Sequence, residues 1–231
     1  MVLLICFAAF FATRAVRLSG LLAALIAFAG PALAADPQGY SVDIQSTGDD
    51  ALDQAMHDSS LLVTLAEKAP TAPFALVARA KGDVERLETA RHAYGFYQGH
   101  ISIRIADRKL DDADLPNVLE AMPKGSTAEV KVSAELGPQY RLRRITLEGN
   151  APEGSKIDLR AGQPAIAADV LFAGTKLQSA LQDSGYPLAK VEAPIAWADD
   201  DAHVLDVIFK ADAGPRAKIG VIHLDGLKTV D

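Results

Sequence analysis

The stretch GPQYRLRRITLEGN at residues 137–150 decides the fold, because GPRAKIGVIHLDGL at residues 214–227 repeats its pattern. Both stretches open on Gly-Pro, continue through a run rich in β-branched and other apolar residues, and close on an acidic residue followed by glycine. This internal repeat of 77 residues is long for a solenoid unit and typical of small domains in tandem. We therefore expect each Gly-Pro pair to mark the end of one structural unit and the start of the next.

Hydrophobic periodicity predicts the same order of elements in both units, namely strand, helix, helix, strand, strand. In the first unit the predicted elements span residues 40–44, 52–66, 77–94, 101–105 and 128–136. In the second unit they span residues 140–147, 155–160, 166–181, 189–197 and 205–209, of which 155–160 is a single helical turn.

The long helices at 77–94 and 166–181 both run up to a glycine that is followed by an aromatic residue, Gly95 and Gly185. Glycine adopts the left-handed conformation of a helix C-cap without strain. We expect both glycines to cap their helices, with the aromatic side chain packed beneath the helix end.

Three further expectations concern particular side chains. The apolar positions change from even to odd near Arg143 and Arg144, which predicts a β-bulge there. Trp197 continues an alternating apolar face and is expected in the core. Arg79 and Asp83 lie four residues apart on a predicted helix, so we interpret them as a surface ion pair, with a contact to a partner as the alternative.

Residues 1–34 have the features of a secretory signal peptide. They contain no acidic residue, place Arg14 and Arg17 before an apolar run, and end in Ala-Leu-Ala at 32–34. The run at 18–29 is short for a membrane span, although an uncleaved anchor is the alternative. The bacterial type of exit motif predicts a periplasmic destination.

The mature chain is acidic and contains no cysteine. Removing the leader takes away two arginines and the only cysteine, Cys6, and leaves 21 basic and 30 acidic residues, a net charge of −9. Disulfides, cysteine–zinc sites and thiol nucleophiles are therefore excluded. The acidic charge without a basic block argues against nucleic-acid binding.

Catalytic and metal-binding patterns are equally missing from the sequence. The five histidines form no H-x-x-x-H pair, and no G-x-G-x-x-G or phosphate loop occurs. The acidic runs at 111–114 and 199–201 lack the glycine and distal glutamate of a calcium loop, so solvated turns explain them. We predict no catalytic residue, no metal, no cofactor and no small-molecule substrate.

Four stretches of the chain carry a family resemblance: YSVDIQSTGD at 40–49, SSLLVTL at 59–65, LVARAKGDVERLETARHAYGFYQGHISI at 76–103 and GPQYRLRRITLEG at 137–149. In order and spacing they resemble the POTRA domains of the Omp85 superfamily, most of all those of its TamA-like members. The Arg-Ala-x-x-Asp pattern of that branch is matched by Arg79, Ala80 and Asp83, and its Gly-aromatic-aromatic corner by residues 95–97.

The resemblance implies an α+β fold of tandem POTRA-like βααββ units, each a three-stranded mixed sheet covered by two helices. The implied boundaries are 35–137 for the first unit, 138–214 for the second and 215–231 for the opening strand of a third. Residues 106–127 depart from the family as a long insertion, with an additional helical turn expected at 115–122. Because TamA-like chains continue into a transmembrane β-barrel, we expect this chain to be a fragment whose full-length form is attached to the outer membrane.

The resemblance also implies a binding mode. An exposed sheet edge offers unpaired backbone groups to an extended peptide, and in POTRA domains the middle strand forms such an edge, here 100–105 and 188–195. Pro187 and Pro194 suit an edge strand, where they serve either binding or protection against unwanted pairing. The local basic cluster on the strand at 140–147 is either a solvated face or a contact for a domain or client. Together the candidate binding residues are His100, Ile101, Ser102, Ile103, Arg104, Ile105, Leu188, Lys190, Glu192, Arg141, Arg143 and Arg144.

The implied function is a non-enzymatic role in assembling outer-membrane proteins or autotransporters. The implied partners are unfolded outer-membrane or secreted clients and an inner-membrane-anchored protein of the TamB type. Three alternatives are left open by the residues: the POTRA region of a BamA-like or two-partner-secretion transporter, a freestanding periplasmic adaptor, and an enzyme whose polar site the sequence does not reveal.

Overall fold

The structure is a computed structural model that describes residues 39–69, 71–218, 220 and 223. The predicted leader lies outside the described residues. The predicted third-unit strand at 215–231 also lies largely outside them, and its described residues adopt no strand.

The described elements are, in chain order, β1 (Gly39–Ile44), α1 (Asp50–Ser59), α2 (Leu61–Thr64), α3 (Pro73–Ala93), β2 (His100–Ile105), β3 (Arg108–Lys109), α4 (Leu115–Glu120), β4 (Thr127–Glu135), β5 (Arg141–Asn150), α5 (Ala167–Asp183), β6 (Lys190–Val191), β7 (Ile195–Asp199) and β8 (Val204–Asp212). The predicted helical turn within the insertion is confirmed as α4.

The first sheet has the strand order β1-β4-β2-β3. β1 runs parallel to β4, whereas β2 runs antiparallel to it and places Ile103 opposite Val132. Ile101, Ile103 and Ile105 are buried while the residues between them are exposed, as expected for a strand with one covered face. The three strands predicted for this unit are confirmed.

The first predicted helix is interrupted at Ser60. α1 begins after Asp49, whose carboxylate accepts the backbone N–H groups of Ala51 and Leu52, each at 3.1 Å. Ser60 has extended backbone angles and starts α2, because its Oγ accepts the N–H of Val63 at 3.1 Å. The continuous helix predicted over this segment is therefore wrong.

The carboxylate of Asp83, on α3, accounts for the interruption. It is fully buried and accepts hydrogen bonds from Ser60 Oγ at 2.7 Å and from the backbone N–H groups of Leu61 and Leu62 at 3.0 and 2.8 Å. The guanidinium of Arg86 donates a further bond at 2.8 Å. Asp83 thus satisfies the free donors at the start of α2 from a neighbouring helix.

Arg79 has partners other than Asp83. Its Nη1 donates to the Tyr40 hydroxyl at 2.7 Å and to the Ala69 carbonyl at 3.1 Å, and the same hydroxyl donates to the Leu62 carbonyl at 3.0 Å. The predicted surface ion pair between Arg79 and Asp83 is wrong. Both residues instead tie α3 to the segments that precede it.

The second sheet repeats the topology of the first. β5 runs parallel to β8, and β6 and β7 run antiparallel to β8 on its other side. The register shifts between Leu142 and Arg144, so the predicted bulge is confirmed. Beyond the shift, Leu147 faces the same side as Phe209, which is buried.

α5 packs on the second sheet, where Gly174 allows close approach. A Cβ at Gly174 would lie 3.3 Å from the Phe209 ring. The helical turn predicted at 155–160 is wrong, since that segment has no helical structure. Its apolar side chains Ile157 and Leu159 alternate with a period of two and pack against the second core as an extended loop.

Each long helix ends at the expected glycine. Gly95 and Gly185 have φ angles of +85° and +96°, which confirms the predicted caps. The carbonyl of Gly95 accepts the N–H of Tyr140 at 2.8 Å, and the carbonyl of Gly185 accepts that of Ala217 at 2.8 Å. The sequence repeat thus corresponds to a repeated contact between a helix end and the chain that leaves the sheet.

The fold is α+β with mixed sheets, as predicted. The first core includes Leu52, Leu87 and Ile105, and a separate second core includes Leu142 and Phe209. Both sheets belong to one compact unit of the chain, so the boundaries at 35–137 and 138–214 stay predictions. Within the described part of the chain, each helix is too short or too polar to span a bilayer.

Candidate functional site: the open strand edges

The first candidate edge is the outer side of β2. Arg104 and Ile105 pair there with the short strand β3 through a two-residue turn, Ala106 and Asp107, with φ angles of +50° and +60°. The pairing covers the last two residues of β2. Of the predicted edge at 100–105, only 100–103 lies without a neighbouring strand among the described residues.

The exposed side chains of this first edge are polar. His100, Ser102 and Arg104 face solvent, and His100 Nδ1 lies 3.6 Å from a carboxylate oxygen of Glu135 on β4. The apolar side chains of β2 all point into the first core. This edge therefore offers backbone groups but little apolar surface.

The second candidate edge is split by a bulge. Val191 lies opposite Ala211 and Ile195 lies opposite Ile208, so the outer strand holds one residue more than β8 between these pairs. Pro194 has no N–H to give to β8, which explains the interruption. The single strand predicted over 189–197 is thus two strands, β6 and β7.

The bulge also reverses which side chains face the core. Trp197 lies opposite Asp206 on the sheet face away from α5, and 65% of its surface is exposed. Ile195, on the same face, is 40% exposed. The prediction that Trp197 lies in the core is wrong, because one inserted residue moves every following side chain to the opposite face. The proline inside the predicted strand was the sequence signal for this change.

α5 covers β6 but leaves β7 open. The backbone N–H of Val191 donates to the Gln178 side chain of α5 at 3.2 Å. A groove of about 300 Å³ lies between α5 and the segment 191–194. Its lining includes Leu171, Gly174 and Pro194. In β7, by contrast, even the two alanines on the α5 side are exposed.

The predicted basic cluster lies on β5 and is largely engaged within the protein. Arg143 donates to Asp206 at 3.0 and 2.9 Å and to Asp199 at 2.8 Å, and its hydrogen bonds lower the pKa of the Asp206 carboxyl. Arg141 donates to the Gly162 carbonyl at 2.7 Å. Arg143 thereby links β5, β7 and β8 at one end of the second sheet.

The other candidate residues of the second unit are exposed, namely Arg144, Leu188, Lys190 and Glu192. Lys190 and Glu192 line an open depression of about 700 Å³ on the face away from α5, together with Lys210. Leu188 is 65% exposed and lies beside Gly214. The structure therefore does not bring the candidate residues together into one pocket.

An aromatic cluster fixes the tip of the β7–β8 turn. The Tyr140 hydroxyl donates to the Asp200 carboxylate at 2.7 Å, and the Tyr140 ring lies 4.9 Å from that of Tyr97 and 5.6 Å from that of His203. Burial, followed by the bond to Asp200, raises the pKa of Tyr140. Gln98 donates to the Asp200 carbonyl at 2.8 Å. These contacts hold the turn against the corner that follows α3.

Metal-ligand geometry is missing from the part of the chain that the structure describes. In residues 39–69 and 71–218, no three His, Cys, Asp or Glu side chains converge as a metal site would require.

Among known proteins, the chain is similar to solved structures but matches no family model and no curated protein. The chain is similar to POTRA domains 3–5 of BamA from Haemophilus influenzae, with 16% identity, 81% of this chain and 70% of that chain covered, and a TM-score of 0.41.

Two further solved structures are similar to the chain. POTRA domains 1–3 of the periplasmic domain of Omp85 from Anabaena share 14% identity over 77% of this chain and 62% of that chain, with a TM-score of 0.38. CdiB from Acinetobacter baumannii shares 10% identity over 76% of this chain and 29% of that chain, with a TM-score of 0.34.

Proposed function

We propose that this chain is the periplasmic POTRA region of an Omp85-type factor that assembles or secretes outer-membrane proteins. In this role it holds unfolded client segments by adding them as strands to its open sheet edges. The observation that carries the proposal is the repeated topology, which leaves the outer sides of residues 100–103 and of β7 without a neighbouring strand among the described residues.

The edges suit a factor with many clients. An edge strand presents N–H and C=O groups at fixed spacing, so an extended peptide gains hydrogen bonds there regardless of its sequence. The exposed side of 100–103 and the whole of β7 meet this requirement. Client recognition by backbone contacts needs neither a cofactor nor a catalytic residue.

The residues behind the TamA-like resemblance support the fold of the first unit. Tyr40 and Arg79 bond to each other, and Asp83 caps α2. These contacts hold the helices of the first unit in place over the first sheet. We extend the proposal on this basis to a TamA-like factor for autotransporters, with an inner-membrane-anchored partner of the TamB type.

Site-specific photo-crosslinking in the periplasm tests the proposal. A photoreactive amino acid at Ser102 or at Ala196 should capture unfolded outer-membrane proteins, because both positions are exposed and lie in strand segments whose outer side has no neighbouring strand among the described residues. The same amino acid at Gln54, exposed on α1, is the matched control. Capture of clients at Gln54 but at neither edge would contradict strand addition.

Cell fractionation separates the proposed factor from a freestanding adaptor. An antibody against residues 39–218 should detect the native protein in the outer-membrane fraction. Recovery of all the native protein in the periplasmic extract would favour the adaptor.

A further inference from the structure

We propose that client segments add to β7 and that Trp197 selects them, so that the preferred partner is an extended polypeptide with apolar side chains at alternate positions. This inference rests on the proposed function and assigns its binding site to one edge. It also gives Trp197 a specificity role that its sequence pattern did not predict.

Among the edge strands that the structure describes, β7 combines an open backbone with exposed apolar side chains, and β1 and β5 do not. On β1 the exposed side chains beyond Gly39 are Ser41 and Asp43. On β5 they are arginines and polar residues, and the loop at 162–165 already bonds to part of that strand. β7 instead exposes Ile195 and Trp197.

The edges next to β7 and on the first sheet are partly closed. Gln178 occupies the N–H of Val191 on β6, and the β3 hairpin occupies the outer side of Arg104 and Ile105. β7 has no such cover among the described residues. An added strand there could bond to the outward-facing N–H and C=O groups of alternate residues along Ile195–Asp199.

Trp197 is placed to contact an added strand. Ile195 and Trp197 lie two residues apart on the face away from α5, so they form an apolar row beside the open edge. Side chains of adjacent strands on one face contact directly and diagonally, within reach of an indole ring. An incoming strand with apolar residues at alternate positions covers this row, whereas a strand with polar residues there leaves it in contact with water.

The edge is also held in place before a partner arrives. Arg143 bonds to Asp199 at the end of β7 and to Asp206 on β8, and the Tyr140–Asp200 bond fixes the turn that follows. A rigid edge loses less conformational entropy when a strand is added. This feature favours β7 over an edge that must first become ordered.

Trp197 is the only tryptophan in the chain, so its fluorescence reports the proposed contact directly. The probe is a ten-residue peptide that alternates valine and threonine between terminal lysines. We expect it to shift the Trp197 emission to shorter wavelength on binding. The same peptide N-methylated at every residue should lose binding, since it then lacks the N–H groups that strand addition needs on both of its edges.

Variants test the role of the indole with a dye-labelled form of the same peptide. Trp197→Ala should weaken peptide affinity by about tenfold, as for an aromatic anchor. Phe74→Ala is the matched control, because Phe74 is an equally exposed aromatic residue (64%) on the first unit, and it should change affinity less than about twofold. Equal effects of the two variants would overturn the inference.

Backbone amide NMR shifts of the full chain separate this inference from the proposed function. Shifts confined to Ile195–Asp199 support it. Peptide binding that moves only the amides of 100–103 overturns the β7 assignment and leaves the proposed function standing. A peptide that binds at neither edge overturns both.

Discussion

Replacing Asp83 by alanine should destabilise the protein by about 3–5 kcal/mol, because it leaves a buried set of donors without an acceptor. The carboxylate is fully buried and accepts the Ser60 hydroxyl and the N–H groups of Leu61 and Leu62 at 2.7–3.0 Å. A surface ion pair four residues apart on a helix would contribute only about 0.3–0.5 kcal/mol. The two interpretations of Asp83 therefore differ by roughly tenfold in free energy.

Urea unfolding followed by far-UV circular dichroism measures the effect. Glu85→Ala is the matched control, since Glu85 is an exposed carboxylate on the same helix and should cost less than about 0.5 kcal/mol. Asp83→Asn keeps one acceptor oxygen and should fall between, at about 1–3 kcal/mol, which keeps the test decisive if the alanine variant does not fold. An Asp83→Ala protein as stable as Glu85→Ala would refute the assignment of Asp83 as the cap of α2.

Two further predictions concern the charged contacts of the second sheet. Arg143 lowers the pKa of Asp206 below its usual 3.8. The Arg143–Asp206 ion pair therefore stabilises the protein above about pH 4, and this stabilisation is lost as the pH falls through the lowered pKa of Asp206. The urea midpoint of Arg143→Met should accordingly lie below that of the native protein near pH 7 and approach it as the pH falls through the lowered pKa of Asp206, and a constant gap would contradict the ion pair. Asp200→Asn should lower the raised pKa of Tyr140 part of the way towards 10, measured by tyrosinate absorbance, because burial remains the larger cause. Asp201→Asn, one residue away, should leave the Tyr140 titration unchanged.

The strands and long helices of this protein could be predicted because their patterns are local. Alternation of Ile101, Ile103 and Ile105 follows from one covered face of a sheet, and it holds in the structure. The even-to-odd change near Arg143 needs a bulge in any register, and a bulge lies there. The glycine caps at Gly95 and Gly185 depend on backbone conformation alone.

The side chains that were assigned wrongly depend on partners distant in sequence. The helical position of Asp83 predicts a surface residue, yet three of its four hydrogen-bond donors lie more than 20 residues earlier in the chain. The alternating sequence pattern places Trp197 in the core, but the bulge at Pro194 moves it to the opposite face of the sheet. The segment 155–160 contains apolar residues, but their contacts with the second core decide that it is extended.

By itself the sequence determined a repeated α+β arrangement, the glycines that end its helices and the acidic, cysteine-free composition of residues 35–231. These properties follow from periodicity, backbone conformation and composition, which are carried by neighbouring residues. Only the tertiary structure decided which backbone edges stay open, because the β3 hairpin, Gln178 and the bulge at Pro194 act across the sheet. The exposure of Trp197 beside β7 is the result of those long-range contacts.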